Sequence, residues 1–398
     1  MQPCPALESP LGSLVARNMS RLPHVCGLCL LLWLWQLLAL APFSYSRSRG
    51  ARCRRLLTLS GVLRWLLLIG LAPLMLWKSA AMYDATNVRH SMIFKNIALA
   101  AMTGDVFISL ALLGAHLWHR RGLARLLNGL AQLHRKRKLG WGSTLLLWSK
   151  LLLSLYELLC NVPFLQGAGS RLPWTQLLAY GVQLYVQHVS SVYANGIFGG
   201  MLLLLASLDH LEQESPALAR LLKRERGWLR LSANFVDLFQ LGIFLLVIGY
   251  FVNILANMYA YMSYFVSQHG VPLTISNYCL IVTIQLYALI LAAHLCQVRH
   301  GRLRQRCLEL GYLPPELTHH QVGGRRWGKV FKSPSLSLQA MAWTPFPLFA
   351  PLDSLKFSVL GLFTLDHAFW LFLVSYAMNF IVIILQFSLE NMQHADDN

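Results

Sequence analysis

Residues 357–387, with the sequence FSVLGLFTLDHAFWLFLVSYAMNFIVIILQF, form the last long apolar stretch of the chain. The stretch exceeds the roughly 20 apolar residues that a helix needs to cross the hydrocarbon core of a bilayer. Seven of the nine side chains at 379–387 are apolar, yet the carboxamides Asn379 and Gln386 stand among them. An unpaired amide is costly in lipid, so this helix needs either polar partners or contact with water.

The rest of the chain has the same apolar character. Hydrophobic residues make up 56% of the 398 residues and charged residues only 13%, whereas a soluble domain has about 25% charged residues. Eight apolar segments, named A to H, lie at 24–45, 56–79, 92–118, 141–164, 174–208, 233–262, 275–298 and 357–387. Their length and their content of Leu and Ile predict helices. The sequence therefore predicts an all-α, polytopic membrane protein.

Lysine and arginine are distributed unevenly between the loops. The connections alternate along the chain, and those on one side hold 28 of these residues while those on the other side hold 2, Arg89 and Arg171. Because cytoplasmic loops retain Lys and Arg, segments B to H are expected to form seven spans with a cytoplasmic N-terminus and an external C-terminus. The same retention accounts for the net charge of +18, so nucleic acid is not an expected partner.

Segment A is open to two interpretations. It could cross the membrane as an eighth span, or it could lie as a helix on the cytoplasmic side. The basic loop that follows it stays inside in both cases, so the charge pattern does not decide between them.

Several classes of function fit the sequence poorly. The motifs HExxH and GxSxG and the P-loop are not found at a predicted helix end, so we expect neither an enzyme nor a cofactor. The eight cysteines are scattered and are interpreted as small buried hydrophobes, not as metal ligands. A G-protein-coupled receptor would need its C-terminal tail in the cytosol, which is opposite to the predicted direction. A secondary transporter is the other alternative, but it predicts internal repeats, and the two halves of this sequence show none.

Polar and aromatic residues concentrate in the outer halves of segments C to G. An ionisable group at mid-membrane costs at least about 2.5–3.5 kcal/mol, so each one is a candidate functional residue. A group of them at one depth, together with aromatic rings, favours a small-molecule pocket over hydrogen bonds that only hold helices together. The predicted pocket residues are Asp105, Tyr156, Glu157, Asn161, Trp174, Tyr180, Gln183, Asn253 and Tyr278. Their carboxylates and amides suit a polar or cationic ligand, and their rings suit a flat alkaloid equally well.

The amides of segment H have a second possible role. Asn379, Val382 and Gln386 share one face of a helix. If several copies of the chain surrounded an axis, rings of amides and aliphatic side chains would line a narrow conduit that gates by dewetting.

The end of segment H resembles a motif of the insect gustatory receptor family, TYhhhhhQF, in which h is hydrophobic. NFIVIILQF matches it at Gln386 and Phe387, with Asn379 in place of Thr and Phe380 in place of Tyr. Further parts of the chain are similar to the family as well. They are the Gly-Leu-Phe and Leu-Asp pattern at 361–366, LALAPF at 38–43 and ANFVDLFQLGIFLL at 233–246.

The resemblance implies a gustatory chemoreceptor subunit in the plasma membrane of a sensory neuron. It implies seven spans, a ligand-gated cation channel opened by an external small-molecule tastant, and a homo- or heterotetramer with related receptor subunits. We favour a bitter or deterrent compound as the tastant. The implied pore-lining residues are Asn379, Val382, Gln386 and Phe387.

The resemblance also resolves segment A as a short helix before the first span, which gives a division of the chain into five regions. These regions are a cytoplasmic N-terminal segment at 1–55, a six-helix ligand-binding bundle at 56–298, a cytoplasmic anchor region at 299–356, a final anchor and pore-lining helix at 357–387, and an extracellular tail at 388–398.

Overall fold

The structure is a computed structural model of the chain. It describes residues 22–46, 50–53, 55–85, 92–134, 140–160, 173–214, 218–266, 273–312 and 356–396.

Helices dominate the described part of the chain, with two small hairpins between them. The helices are α1 (Leu22–Leu37), α2 (Arg55–Ala85), α3 (Met92–Trp118), α4 (Arg120–His134), α5 (Trp141–Cys160), α6 (Trp174–Glu214), α7 (Leu218–Val266), α8 (Leu273–Tyr312) and α9 (His367–Asp396). The strands are β1 (Phe43–Ser46), β2 (Gly50–Cys53), β3 (Ser358–Val359) and β4 (Phe363–Thr364). Both hairpins are antiparallel.

Six of these helices, α2, α3, α5, α6, α7 and α8, are long and apolar enough to cross a membrane, judged over the described residues. In α9 the described apolar part covers His367–Ile383. The helices α6, α7 and α8 have 41, 49 and 40 residues, about twice what a bilayer requires. Their additional turns carry basic residues, such as those at 220–230 and 299–306, so these helices extend past the apolar core at their basic ends.

Helix α6 is the centre of the bundle. In its apolar part 89% of the residues are buried, compared with 22% in the apolar part of α2. Helix α6 packs against α1, α2, α3, α4, α5, α7 and α8. A helix whose apolar side chains point in all directions, as those of α6 do, is stable only when neighbours or lipid surround it, and the polar side chains of α6 need partners among those neighbours.

One close approach sets the position of α1 on α6. The indole of Trp35 is buried, and its Nε1 donates a hydrogen bond to the Val192 carbonyl at 2.8 Å. The ring stacks on Tyr193 at 6.0 Å between centroids and meets the edge of His116 at 5.2 Å. Gly196 lies directly beneath it, and a Cβ atom there would overlap the indole. The absent side chain at Gly196 therefore makes room for the aromatic cluster that joins α1, α3 and α6.

Segment A forms α1, a helix of 16 residues, which is shorter than the span that a bilayer requires. The hairpin β1–β2, which the sequence did not predict, follows it. Asn128 of α4 holds this hairpin, because its side chain accepts a hydrogen bond from Ala51 N at 2.7 Å and donates one to Ala51 O at 3.2 Å. An amide side chain thus continues the strand pairing that the hairpin begins.

Segment H begins differently from the prediction of a helix from residue 357. Residues 358–364 form the hairpin β3–β4, with its turn at Leu360 (φ 52°) and Gly361 (φ 71°). These positive φ angles are incompatible with a helix. The helix starts only after Asp366, whose Oδ1 accepts a hydrogen bond from Phe369 N at 2.9 Å. This bond is a standard N-cap, so the Gly-Leu-Phe and Leu-Asp pattern marks a turn and a cap. Residues 313–355, most of the anchor region, lie outside the described residues.

Replacing Gly196 with Ala should destabilise the protein. The new methyl group overlaps the Trp35 indole, and overpacking of a core costs about 1–3 kcal/mol. The melting temperature of the purified protein in nanodiscs should fall. Gly181→Ala is the matched control, since it lies in the same helix with nothing within 4 Å of the added atom. A melting temperature as low for Gly181→Ala as for Gly196→Ala would contradict this account.

Candidate functional site

Polar side chains from four helices meet around Gln285, which is fully buried in α8. Its Nε2 donates to Glu157 Oε2 of α5 at 2.7 Å and lies 3.0 Å from Ser191 Oγ of α6. Its Oε1 accepts from Lys150 Nζ of α5 at 2.9 Å and from the Tyr250 hydroxyl of α7 at 3.2 Å. A carboxamide has two donors and an acceptor oxygen, and both ends of this one are occupied. We call Gln285 with Lys150, Glu157, Ser191 and Tyr250 the amide hub.

The hub continues toward the basic end of the bundle through two further side chains. Ser154 Oγ and Ser191 Oγ lie 3.0 Å apart, and Asn195 Nδ2 donates to Ser154 Oγ at 2.7 Å. All three are buried between α5 and α6. Buried polar groups are stable only when they are hydrogen-bonded, so these contacts fix how the two helices face each other.

A cavity of about 20 Å³ lies against the hub. It is lined by Asp105, Ile108, Glu157, Gln187, Ser190, Leu246, Gly249, Tyr250, Asn253 and Tyr278. Glu157 and Tyr250 belong to both the cavity and the hub. Two other lining residues are hydrogen-bonded to each other, since Asp105 Oδ1 accepts a hydrogen bond from Asn253 Nδ2 at 2.8 Å. The helices α3, α5, α6, α7 and α8 each contribute to the lining, so a molecule bound there would touch five helices at once.

The predicted pocket residues fall into four groups. Asp105, Glu157, Asn253 and Tyr278 line the cavity. Tyr180 and Gln183 of α6 are half-buried without lining it, and Tyr156 and Trp174 are 47% and 74% exposed. Asn161 lies outside the described residues. The position of Tyr156 has a simple cause, because consecutive helical residues are about 100° apart and Glu157 occupies the inward face.

Sequence reasoning missed Lys150, Ser154, Ser191, Asn195 and Gln285. Lys150 carried a signal, since it is an ionisable residue seven positions before Glu157 and therefore lies on the same face of α5. Gln285 is a single amide in an apolar helix, and nothing in its neighbourhood marks it as the point where four helices meet.

The four residues predicted to line a pore lie together on α9. Asn379, Val382 and Gln386 are exposed, with Val382 at 51%, and so is Ser375 one turn before Asn379. The opposite face, with Leu373 and Ala377, is buried against the same chain, mainly against α7 and α8. Phe387 is part of the helix, but its side chain is outside the described residues. The exposed face of α9 is therefore centred on Ser375, Asn379, Val382 and Gln386, and we call it the polar stripe.

The start of α9 is joined to α8 by ring contacts and one hydrogen bond. His294 and His367 lie 4.1 Å apart, and Tyr287 and Trp370 lie 5.1 Å apart, measured between ring centroids. Gln297 Nε2 donates to Leu365 O at 3.2 Å. The helix that carries Gln285 is thus also the helix on which α9 begins.

Comparison with known proteins identifies the family to which this chain belongs. The sequence profile of the family described as 7tm Chemosensory receptor matches residues 28–391, and the chain belongs to that family. It is 65% identical over 379 residues to a Drosophila melanogaster protein that carries the name gustatory receptor 89a, a match that covers 95% of this chain and 100% of the relative. The chain is therefore a multi-pass membrane protein of the insect chemosensory receptors.

Solved structures share the fold. The insect olfactory receptor OR5 from Machilis hrabei superposes with a TM-score of 0.61 at 11% identity, covering 90% of this chain and 97% of that chain. The structure of the same receptor in complex with eugenol gives a TM-score of 0.58 at 11% identity, covering 93% of this chain and 98% of that one.

Replacing Gln285 with Leu should destabilise the bundle strongly. The substitution keeps the volume but removes the amide that joins Glu157, Lys150 and Tyr250. Each buried polar group left without its partner costs about 1–3 kcal/mol. The melting temperature of the purified protein in nanodiscs should fall well below that of the wild type.

Gln297→Leu is the matched control for this prediction. It is the same substitution in the same helix, and it removes the single hydrogen bond to Leu365 O, worth about 1 kcal/mol. Equal losses in the two variants would show that Gln285 is not a hub.

Proposed function

We propose that the protein is a taste-receptor subunit that forms a ligand-gated cation channel. A small molecule enters from outside and binds in the cavity between α3, α5, α6, α7 and α8. Its binding changes the packing of these helices and widens a central pore lined by the last helices of four subunits. The subunits lie in the plasma membrane with the N-terminus in the cytoplasm and the C-terminus outside, as the distribution of Lys and Arg favours.

The polar stripe of α9 is the observation that carries this proposal. Three polar residues, Ser375, Asn379 and Gln386, occupy the centre of its exposed face. Large apolar side chains flank the stripe, namely Leu371, Phe372, Val374, Tyr376, Met378 and Ile383. Polar groups in the middle of a lipid-facing surface are unfavourable. The arrangement suits a helix whose polar centre meets water around a symmetry axis while its apolar flanks contact neighbouring copies.

A ring of Gln386 side chains with a ring of Val382 one turn below would make a narrow conduit. Amides can stand in for the water around a passing ion, and an aliphatic ring can close a pore by excluding water. Because α9 is held mainly by α7 and α8, and these two helices also line the cavity, ligand binding has a direct mechanical connection to the pore.

The cavity supports a small-molecule ligand. Its lining combines two aromatic residues, Tyr250 and Tyr278, with carboxylate and amide groups, which is typical of sites for small ligands. Because about 20 Å³ holds only a group of the size of water, the helices would have to move apart to admit a tastant. The related olfactory receptor OR5 has been solved in complex with the small molecule eugenol. A bitter or deterrent tastant is the class that we favour for this chain.

Gln386→Ala should change the current that the channel carries. In oocytes expressing the chain, alone or with related subunits, a tastant panel should evoke ohmic cation currents in the wild type. Loss of the amide ring should alter single-channel conductance or cation selectivity, because the ring contacts the permeating ion. Surface expression measured in the same cells separates this effect from poor folding.

Leu66→Ala is the control for this experiment. Leu66 is exposed on α2, which is not among the main packing partners of α9, so its truncation should leave conductance unchanged. Ligand-dependent uptake without any conductance, with kinetics altered by Gln386→Ala, would contradict the channel and support a transporter.

A further inference from the structure

Exposed arginines lie on three neighbouring elements at the basic end of the bundle. Arg52 belongs to β2, Arg55 is the first residue of α2, and Arg121 and Arg125 lie on α4. All four side chains are exposed. Arg121 and Arg125 are four residues apart and therefore share one face of their helix. We call these four residues the arginine surface.

Contacts between the elements hold this surface together. Cys53 Sγ lies 3.7 Å from the carbonyl oxygen of Arg120, so the end of β2 and the start of α4 are neighbours. Asn128 binds both backbone groups of Ala51, which fixes the hairpin along the same side of α4. At 3.6 residues per turn, the two exposed arginines of α4 lie about 60–100° around the helix axis from that side. They are therefore on the face of α4 that adjoins the hairpin and the start of α2.

The arginine surface lies at the boundary of the bilayer. The apolar part of α2 begins at Arg55, and that of α3 ends at Trp118. Trp118 is 85% exposed, and tryptophan at the end of a span is typical of the headgroup region. Backbone hydrogen bonds continue across His119, so α4 extends α3 beyond the span. Arg121 and Arg125 follow Trp118 by roughly 5 and 10 Å along a helix, and the polar region of one leaflet is about 5–8 Å thick, so both lie at or just beyond the depth of the lipid phosphates.

The elements that carry the arginine surface have no acidic residue of their own. The sequence contains neither Asp nor Glu within 9–83 or within 106–156, and these stretches include the hairpin, the start of α2 and all of α4. Among the residues that the structure describes, none of the four arginines forms an ion pair. The side-chain hydrogen bond in this group runs from Arg125 Nε to the backbone oxygen of Arg121 at 3.4 Å. The guanidinium charges are therefore left for an external partner.

The acidic residues of the neighbouring helices do not change this balance. Asp209 of α6 and Glu225 of α7 are paired with Arg299 and His300 of α8. Asp237 is exposed on the part of α7 that packs against α4. One such carboxylate beside four exposed arginines leaves a positive excess that an anionic partner would neutralise.

The position of the excess charge favours a lipid as this partner. Retention of arginine in cytoplasmic loops accounts for the number of these residues, but not for their place at headgroup depth beside an exposed tryptophan. Basic residues next to a span attract the anionic lipids of the cytoplasmic leaflet. A guanidinium group binds phosphate oxygens through two parallel hydrogen bonds. Several guanidinium groups on one surface suit a headgroup that carries several phosphates better than one that carries a single phosphodiester.

We infer that the arginine surface binds the phosphorylated headgroup of a phosphoinositide in the cytoplasmic leaflet. The headgroup joins the hairpin and the start of α2 to the exposed face of α4. It therefore adds a bridge between elements that are otherwise held by the contacts of Asn128 and Cys53. The site is separate from the cavity and from the polar stripe, and its existence does not depend on the proposed channel.

The melting temperature of the full chain in nanodiscs of defined composition tests the inference. The three compositions are phosphatidylcholine alone, phosphatidylcholine with phosphatidylinositol 4,5-bisphosphate, and phosphatidylcholine with phosphatidylserine at the same total lipid charge. Because a ligand that binds the folded state stabilises it, the phosphoinositide should raise the melting temperature. The charge-matched phosphatidylserine should give less than half of that shift, because its phosphates are spread over separate molecules.

A double variant locates the effect on α4. Arg121→Gln with Arg125→Gln should lose most of the phosphoinositide shift, since each arginine near an anionic surface contributes about fivefold to binding. Its melting temperature in phosphatidylcholine should equal that of the wild type, because both side chains are exposed. If this variant does not fold, Arg52→Gln with Arg55→Gln removes the same charge from the other two elements and should cause the same loss.

Arg226→Gln with Arg302→Gln is the matched control. Both arginines are exposed at the basic ends of α7 and α8, so the variant loses the same charge from the same end of the bundle. Arg226 lies 12 residues before Leu238, the residue beside Gly122 of α4, which is roughly 18 Å along the helix. Helix α8 is not among the main packing partners of α4. The control should keep the full phosphoinositide shift.

Four results would overturn the inference. They are the absence of a phosphoinositide shift, an equal shift with charge-matched phosphatidylserine, an equal loss in the control variant, and a shift of the same size when free inositol 1,4,5-trisphosphate is added to phosphatidylcholine nanodiscs. The last result would identify a soluble phosphate as the ligand instead of a lipid. None of these measurements records a current, so their failure leaves the proposed channel untouched, and the absence of a current leaves the lipid site untouched.

Discussion

The requirement that a buried amide be fully hydrogen-bonded organises the centre of this bundle. Gln285 is completely buried and joins side chains of α5, α6 and α7 to α8. In an apolar medium the alternative to these bonds is an unsatisfied group, so the geometry is confined to arrangements that satisfy all of them at once. Apolar contacts alone would allow the helices to slide or rotate by small amounts at little cost. The hub removes that freedom at the depth where the cavity lies.

Close packing supplies a second constraint in the middle of the bundle. Hydrophobic burial between helices contributes little where lipid is the competing solvent, so small residues that permit close approach become important. Gly196 has this role for Trp35, and Gly242 has it for the Tyr193 ring. The central position of α6 depends on both devices, since the polar bonds of Ser191 and Asn195 and the close contacts at Val192 and Gly196 act on the same turns of this helix.

The sequence predicted the parts of the fold that depend on composition along the chain. Apolar length identified the spans, and Asp105 and Glu157 stood out because ionisable residues in spans are expensive. What depends on contacts across the chain could not be predicted. Gln285 has no local signal, Tyr156 differs from Glu157 by one position but points the other way, and the hairpin after α1 depends on Asn128, 77 residues from Ala51. The helix start at His367 was misplaced for a different reason. The turn at Leu360 and Gly361 lies within an apolar stretch, and the hydropathy of a stretch does not show that two of its residues adopt positive φ angles.

Helix α8 connects the amide hub to α9, the helix that carries the polar stripe. Helix α8 carries Gln285 in the hub, and two residues further along it places Tyr287 against Trp370 of α9. Its next turns bring His294 to His367 and Gln297 to Leu365, which lies between β4 and α9. A helix is stiff along its axis, so a movement of α8 that follows the loss of a hub bond reaches the base of α9 without an intermediate element. Under the proposed function, α9 then moves as an element that is held on one face only, because its polar stripe has no partner within the described part of its own chain. A bundle held tightly at its core and loosely at its last helix therefore has the distribution of stability that gating requires.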